Sequence, residues 1–436
     1  MTSIAPVADG SGTRFATPTP SGGPVLTGPR VAWPERLREN GVRVRSAGVA
    51  GGARTTPLSR PGSGGLRFSA ILAGSSDWLV ADVNAEERFG ATSYLFHSLF
   101  AGPAAGPPAR RAHRCGYYTD VPLPSPVDID GDRLIHHACS EPVVDVTNLR
   151  TGATTQVPGS HRGLRIAGSY AAWVEGSRGT PHDSVVVYDI EHEAVSYTIP
   201  ARAHLGVGDL DLAKDGTLVV RYGDDELSWA SPGSPVLHRI PVPGRNFTVK
   251  VAAGKVVYAR GRASGGTIPR AEINVTDLAG HRRPLARGAV GGTVLPRFDF
   301  DGERVVWYAY SCKGARMHVQ PIGSKPVEES LTRCPLRLRT PPKVKEGDYV
   351  VLKPSCHGYA GGCSARNVRL TARRDGHSVL VGDGRRASHV SLTAAGKELL
   401  RKRDALKVRI AATMTDGAGT RERRQGTATL MPEESV

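Results

Sequence analysis

The sequence predicts an all-β chain in which one short unit repeats and closes on itself, followed by a smaller strand-rich unit. Three observations carry this. Glycines at 28, 74, 131, 168, 216, 254 and 302 each mark a turn that runs into a β-branched or aromatic stretch. Their spacings of 46, 57, 37, 48, 38 and 48 residues bracket the roughly 40–50 residues of a four-stranded propeller blade. Glycine at 52 and proline at 32 supply the turns that many short strands require.

The clearest copy of the unit is Phe298–Tyr310, FDFDGERVVWYAY, where the Asp301-Gly302 turn drops into the strand Arg304–Tyr310. Ala167–Val174, Asp215–Val220 and Ala253–Tyr258 repeat it. Downstream of a marker come strands ending in Asp, Ser184–Ile190 and Glu272–Leu278, then a polar turn and a short outer strand, Val195–Ile199 and Arg282–Leu285. The expected order within a blade is turn, inner strand, loop, Asp-ended strand, turn, outer strand. One such blade cannot bury both faces, whereas a ring of them can. Seven markers predict a seven-bladed β-propeller, with six blades as the alternative because the Ala73 marker is the least regular.

The expected boundaries are a flexible polar leader over 1–23, the propeller over 24–335, a Pro-stiffened linker over 336–342, the second domain over 343–431 and a tail over 432–436. Phe100–Arg114, rich in Ala, Gly and Pro, reads as a long surface loop. With its turn-plus-strand markers and its Tyr-Asp and Thr-Asp strand ends, the stretch 24–335 resembles the TolB-like and WD-repeat-like β-propellers. That resemblance implies architecture and is silent on ligand.

In the tail, Tyr349–Leu352, Val368–Ala372, Ser378–Val381, His389–Leu392, Ala405–Met414 and Gly426–Leu430 read as strands. Ala394–Arg403 reads as a helix with Thr393 as N-cap and Glu398 four residues before Lys402. Asp416–Gly419 is a hairpin signal. The Cys356/Cys363 pair, Val390–Gly396 with Leu399-Leu400, and Val408–Asp416 followed by Gly417 and Gly419 resemble an Ig-like β-sandwich module of exported actinobacterial proteins. The resemblance implies an accessory domain of the cell surface or exterior.

Net charge is +16 and is unevenly shared: residues 337–436 hold 20 Lys and Arg against 10 Asp and Glu, and the rest hold 37 against 31. A basic tail domain suits an anionic envelope polymer. Nucleic acid is disfavoured, because the aromatics (Trp33, Trp78, Trp173, Tyr258, Trp307) fall inside repeat strands instead of forming a base-stacking platform. No run of about 18 apolar residues exists to span a membrane. The six cysteines, Cys115, Cys139, Cys312, Cys334, Cys356 and Cys363, form no C-x-x-C pair and read as disulfide candidates. An even count in loop-like settings argues for an oxidising compartment, so the expected location is extracellular or the cell envelope. Met1–Gly23 has no apolar core of the kind a secretory signal carries, which keeps the cytoplasm as the alternative.

Asp128, Asp130 and Asp132 are the candidate metal ligands, since Ca2+ needs several oxygens converging on one turn. The competing reading makes them turn residues that accept backbone amides. Asp299 and Asp301 repeat the arrangement, which favours the repeat explanation, so the expectation is no cofactor. His136-His137 lie on opposite faces of a strand and cannot share a metal, and His192-Glu193 sits in a turn. No G-x-S-x-G, G-x-x-x-x-G-K or strand-to-helix G-x-G-x-x-G is present, and no catalytic residue is assigned. The expected function is non-enzymatic binding or scaffolding, with a protein or polysaccharide recognised by propeller loops. The alternative is a hydrolase or lyase acting at the channel mouth.

Overall fold

The structure is a computed structural model. Between residues 5 and 431 it describes all positions except 7–12, 18–22, 38–40, 62–66, 90–91, 105–109, 119–126, 138–142, 159–161, 177–182, 201, 203–205, 224–225, 243–245, 262–270, 291–296, 312–313, 330–336, 339–341, 346–347, 356–363, 404 and 416–420. Five four-stranded antiparallel sheets follow one another in the chain, spanning 25–60, 67–118, 128–158, 162–199 and 207–240. A ten-stranded sheet then holds two further runs of antiparallel strands, 246–290 and 298–321. The first strands of these runs touch in sequence, and Phe298–Phe300 packs back on Val25–Thr27. The circle is therefore closed, and the fold is an all-β propeller.

Every marker glycine sits at the end of the first strand of its run, or just beyond it, and not ahead of an inner strand. The innermost strands are the short ones that precede the turn, such as Val25–Thr27, Asp128–Asp130 and Phe298–Phe300. The strand after the turn, read as inner from sequence, is second in its sheet. Two of the glycines are there for close approach between blades. A Cβ on Gly28, whose φ is +56°, would meet the Ser76 carbonyl oxygen at 2.5 Å, and one on Gly74 would meet that of Leu26 at 2.4 Å.

Apolar side chains of the second strands fill the spaces between blades. Trp33 packs with Val306, Met317 and Val319. Trp173 packs with Ile135, Val144 and Leu164, and Trp307 with Val257, Ile273 and Leu285. All three indoles are fully buried, and each contributes roughly 1.5–3 kcal/mol from burial on the scale of a large apolar side chain. Trp78 is only half-buried, and its Nε1 donates to Asp132 Oδ1 at 2.6 Å. The Asp that ends a third strand caps the next turn. Asp189 accepts from the amides of Glu191 and His192 at 3.0 and 3.2 Å, and Asp277 from that of His281 at 3.0 Å.

Two sequence readings of the propeller are corrected. The stretch taken as a flexible leader contributes a strand, Thr13–Thr17, which pairs antiparallel with Gly314–Pro321 at the outer edge of the last run. An unpaired edge there would leave a row of amides and carbonyls without partners. The expected loop over 100–114 is largely strand. Thr92–Pro103 and Arg110–Tyr118 pair from Ala101↔Arg110 to Tyr94↔Tyr118, so only a short connection separates them. Cys115 pairs through its backbone with His97. The side chain of Cys115, and Cys139, Cys312, Cys334, Cys356 and Cys363, lie outside the described residues.

Between 344 and 430 seven strands form one antiparallel sheet around its own core, which includes Val368, Leu370, Val381, Ile410 and Leu430. Pro354–Ser355 pairs separately with Arg337–Leu338, so the stretch expected as a linker over 336–342 contributes a short strand. Its two edges meet: Lys343 bridges Met431 in parallel, and the Val344 amide donates to the Met431 carbonyl at 2.9 Å. The layering thus differs from the expected Ig-like sandwich of two sheets, because the hydrogen-bonded path is continuous and closes as a small barrel. The helix Ala394–Arg401 packs on this barrel. Thr393 Oγ1 accepts from the Gly396 amide at 3.1 Å, and Lys402 Nζ lies 2.8 Å from Glu398 Oε1, as the sequence predicts. The hairpin signal at 416–420 lies outside the described residues, and the strands flanking it pair from Thr415↔Arg421.

Candidate ligand channel

The first strands of every run line one cavity of about 970 Å³ at the hub of the ring. Their side chains alternate in sign around it. Asp128, Arg165, Asp211, Lys250 and Asp299 come from five successive runs, whereas Val25 and Ile71 line the remaining arc. A strand sends alternate side chains to opposite faces, and in Arg162–Ala167 the buried Leu164 and Ile166 flank Arg165. The apolar neighbours anchor the strand and leave the charge at the hub. Val249 and Val251 do the same for Lys250.

The carboxylates act across the seams between blades. Asp128 Oδ2 accepts from the Ile166 amide at 3.1 Å and Asp130 Oδ2 from that of Gly168 at 2.8 Å. Asp209 and Asp211 accept from the amides of Val249 and Val251 at 3.0 and 2.7 Å. Asp299 Oδ2 accepts from the Leu26 amide at 2.9 Å and so ties the last run to the first. Each joins a carboxyl oxygen of one blade to a backbone amide of the next.

The cations knit the same groups together. Arg165 donates to Asp211 Oδ1 at 3.1 Å and to Asp209 Oδ1 at 3.4 Å. Lys250 Nζ lies 3.5 Å from Asp211 Oδ1 and 3.6 Å from Asp299 Oδ1. Burial works against both cations, but Asp209, Asp128 and Asp211 around Arg165, and Asp211, Asp299 and Asp128 around Lys250, hold both pKa values above their ordinary range. At Asp128 the balance disfavours the charged form. Burial raises its pKa, and the more distant Lys250 and Arg165 offset this only in part.

The three candidate metal ligands diverge. Asp128 and Asp130 face two amides of the neighbouring blade, Asp130 Oδ1 adds Lys214 Nζ at 3.1 Å, and Asp132 takes Arg150 at 2.8 Å together with the Trp78 indole. Among the described residues no three His, Cys, Asp or Glu side chains are placed to hold a metal ion. His136 is buried, with Nε2 3.3 Å from Thr147 Oγ1. His192 sits in its turn with Nδ1 2.8 Å from Asp189 Oδ2. Sequence reading missed Arg165, Asp209, Asp211 and Lys250. The only signal for them was a charge alternating with apolar residues three to seven positions before a marker glycine, which also describes an ordinary solvent-facing position.

No protein-family model matches the chain, and no curated protein matches it. Solved structures similar to it include a β-propeller domain, and those named below are at most 13% identical. The β-propeller domain of the Trilobed protease from Pyrococcus furiosus is 10% identical over 67% of this chain and 90% of that one, with a TM-score of 0.44. TolB from Acinetobacter baumannii is 13% identical over 69% and 66%, with a TM-score of 0.34. BamB from Moraxella catarrhalis is 12% identical over 59% and 93%, also at 0.34. The assignment of fold rests on the strand pairing and ring closure described above. Among the described residues no helix is long and apolar enough to cross a membrane.

Proposed function

We propose that this chain is a non-enzymatic binding or scaffold protein of the cell exterior or envelope, a seven-bladed propeller that receives a protein or polysaccharide partner at the mouth of its hub. The observation that carries this reading is the occupation of the hub carboxylates. Asp128, Asp130, Asp209, Asp211 and Asp299 each accept a backbone amide of the neighbouring blade, and four of them also face a cation. Groups engaged in this way hold blades together and are poorly placed to move protons for a substrate. What remains for a partner is the mouth and its field. The lining carries seven Asp against two Arg and two Lys in a chain of net charge +16, so the mouth attracts a segment bearing Lys or Arg.

Selection of displayed random peptides on the immobilised protein tests this. Enriched peptides are expected to carry Lys or Arg and to lose binding to a plugged variant, Ser76→Trp with Lys214→Trp, both exposed lining positions. Equal binding to the plugged variant, or enrichment of acidic peptides, overturns the reading. The hydrolase or lyase alternative has one observation in its favour, the raised pKa of Asp128 within the cavity, as a general acid requires. Turnover of a peptide or glycan panel that disappears in Asp128→Asn would establish it.

A further inference from the structure

The strongest unpaired charge lies on the C-terminal barrel, away from the hub. The four long strands of the barrel, Ser364–Arg374, His377–Arg386, Leu406–Thr415 and Arg421–Leu430, form a continuous outer face. Inward positions are apolar and buried, among them Val368, Leu370, Val408 and Ile410. The outward positions of the first strand include Arg366, Arg369 and Arg373, all exposed. A bulge at Asn367, with φ +49°, keeps Arg366 and Arg369 on the same side although they are three residues apart. Lys407 and Arg409 follow on the third strand, and Arg421 and Arg423 on the fourth.

The register turns these residues into a grid. Arg366 lies opposite Thr413 and Thr413 opposite Arg423, while Thr371 lies opposite Arg409 and Arg409 opposite Thr427. Hydroxyls therefore alternate with guanidinium groups across strands about 4.8 Å apart. Asp383, opposite Arg369, is the one carboxylate on this face among its described residues. Like charges this close repel one another in the free protein, and a bound polyanion relieves that repulsion.

We propose that this face binds a linear anionic polysaccharide. Arginine presents a planar fork suited to carboxylate, sulfate or phosphate groups, and the interleaved Thr hydroxyls suit sugar hydroxyls. The named outward positions hold no aromatic side chain on which bases could stack, which sets a polysaccharide ahead of a nucleic acid. The proposal stands independently of the hub reading.

The test uses the full chain and heparin as the probe. Binding is expected at about 0.15 M salt and is expected to weaken steeply as salt rises. Arg369→Gln/Arg409→Gln/Arg423→Gln should lose about tenfold or more in affinity, as three lost charge contacts imply. A matched variant on exposed propeller arginines, Arg239→Gln/Arg283→Gln/Arg287→Gln, should retain wild-type affinity. An equal loss in both variants would show generic charge attraction and overturn the proposal. So would the absence of heparin binding at 0.15 M salt, or tighter binding of duplex or single-stranded DNA than of heparin at the same salt.

Discussion

The hub of the propeller and the outer face of the barrel are both rich in charge, but the charge is organised in opposite ways. At the hub, Arg165 and Lys250 sit within 3.6 Å of Asp209, Asp211 or Asp299, and the carboxylates also accept amides across blade seams. On the barrel, Arg366, Arg409 and Arg423 stand in a grid with hydroxyls for cross-strand neighbours. Charges taken partly out of water need partners to be tolerated, whereas exposed ones need none for folding and stay available to a ligand. Burial thus separates charge that builds the fold from charge that meets a partner.

Removing a buried partner should break this contrast most visibly. Glu35 is almost fully buried, accepts from the Trp33 indole at 3.0 Å and from Arg43 at 2.6 Å, and lies 3.5 Å from Arg45. Glu35→Ala should cost about 3 kcal/mol or more, because two arginines lose their counter-charge, as read from the denaturation midpoint. Next comes Asp211→Asn, which keeps the shape but leaves Arg165 and Lys250 undercompensated. A loss of about 2–4 kcal/mol is expected. Asp128→Asn sharpens the comparison within the hub. Burial already disfavours the ionised form of Asp128 and no cation pairs with it directly, so a loss under about 1 kcal/mol is expected. Thr393→Ala should cost about 1 kcal/mol through the lost N-cap, and Arg409→Gln should stay within about 0.5 kcal/mol.

The smallest effect concerns pH. His281 donates to Asp277 through its backbone amide, and its ring Nδ1 lies 2.9 Å from Oδ2; these contacts hold the carboxyl at about 2 against an ordinary 3.8. A carboxyl depressed on folding stabilises above its unfolded pKa and loses that contribution as pH falls through the folded one. The Asp277 share should therefore be intact at pH 5 and decline between pH 4 and 2, as an NMR titration of its carboxyl carbon would report.

The ring was legible because turn chemistry repeats. Asp-Gly and Ala-Gly markers at 131, 168, 216, 254 and 302 all end first strands or follow them closely. The strands that build the hub were harder to find. Three residues, as in Asp128–Asp130 or Phe298–Phe300, are too few to display a period. Asp128/Asp130 and Asp299/Asp301 stood out because each pair sits just before its glycine. Asp209 and Asp211 escaped because they lie seven and five residues before Gly216, four more than the corresponding aspartates before their glycines. Arg165 and Lys250 became hub residues only once ring closure put them opposite carboxylates that lie 39 to 49 positions away in sequence. The barrel strands and the capped helix were legible from local signals, whereas closure between Lys343 and Met431 depends on segments 88 positions apart.

Hydrogen–deuterium exchange on Asp211→Ala reads whether the hub carboxylates hold neighbouring blades together. Faster exchange is expected in 246–252, whose Val251 amide loses its acceptor, and in 162–167, which carries Arg165, while the barrel strands at 364–415 keep their wild-type rates. Unchanged exchange across both hub segments, with the protein as stable as wild type, would contradict it.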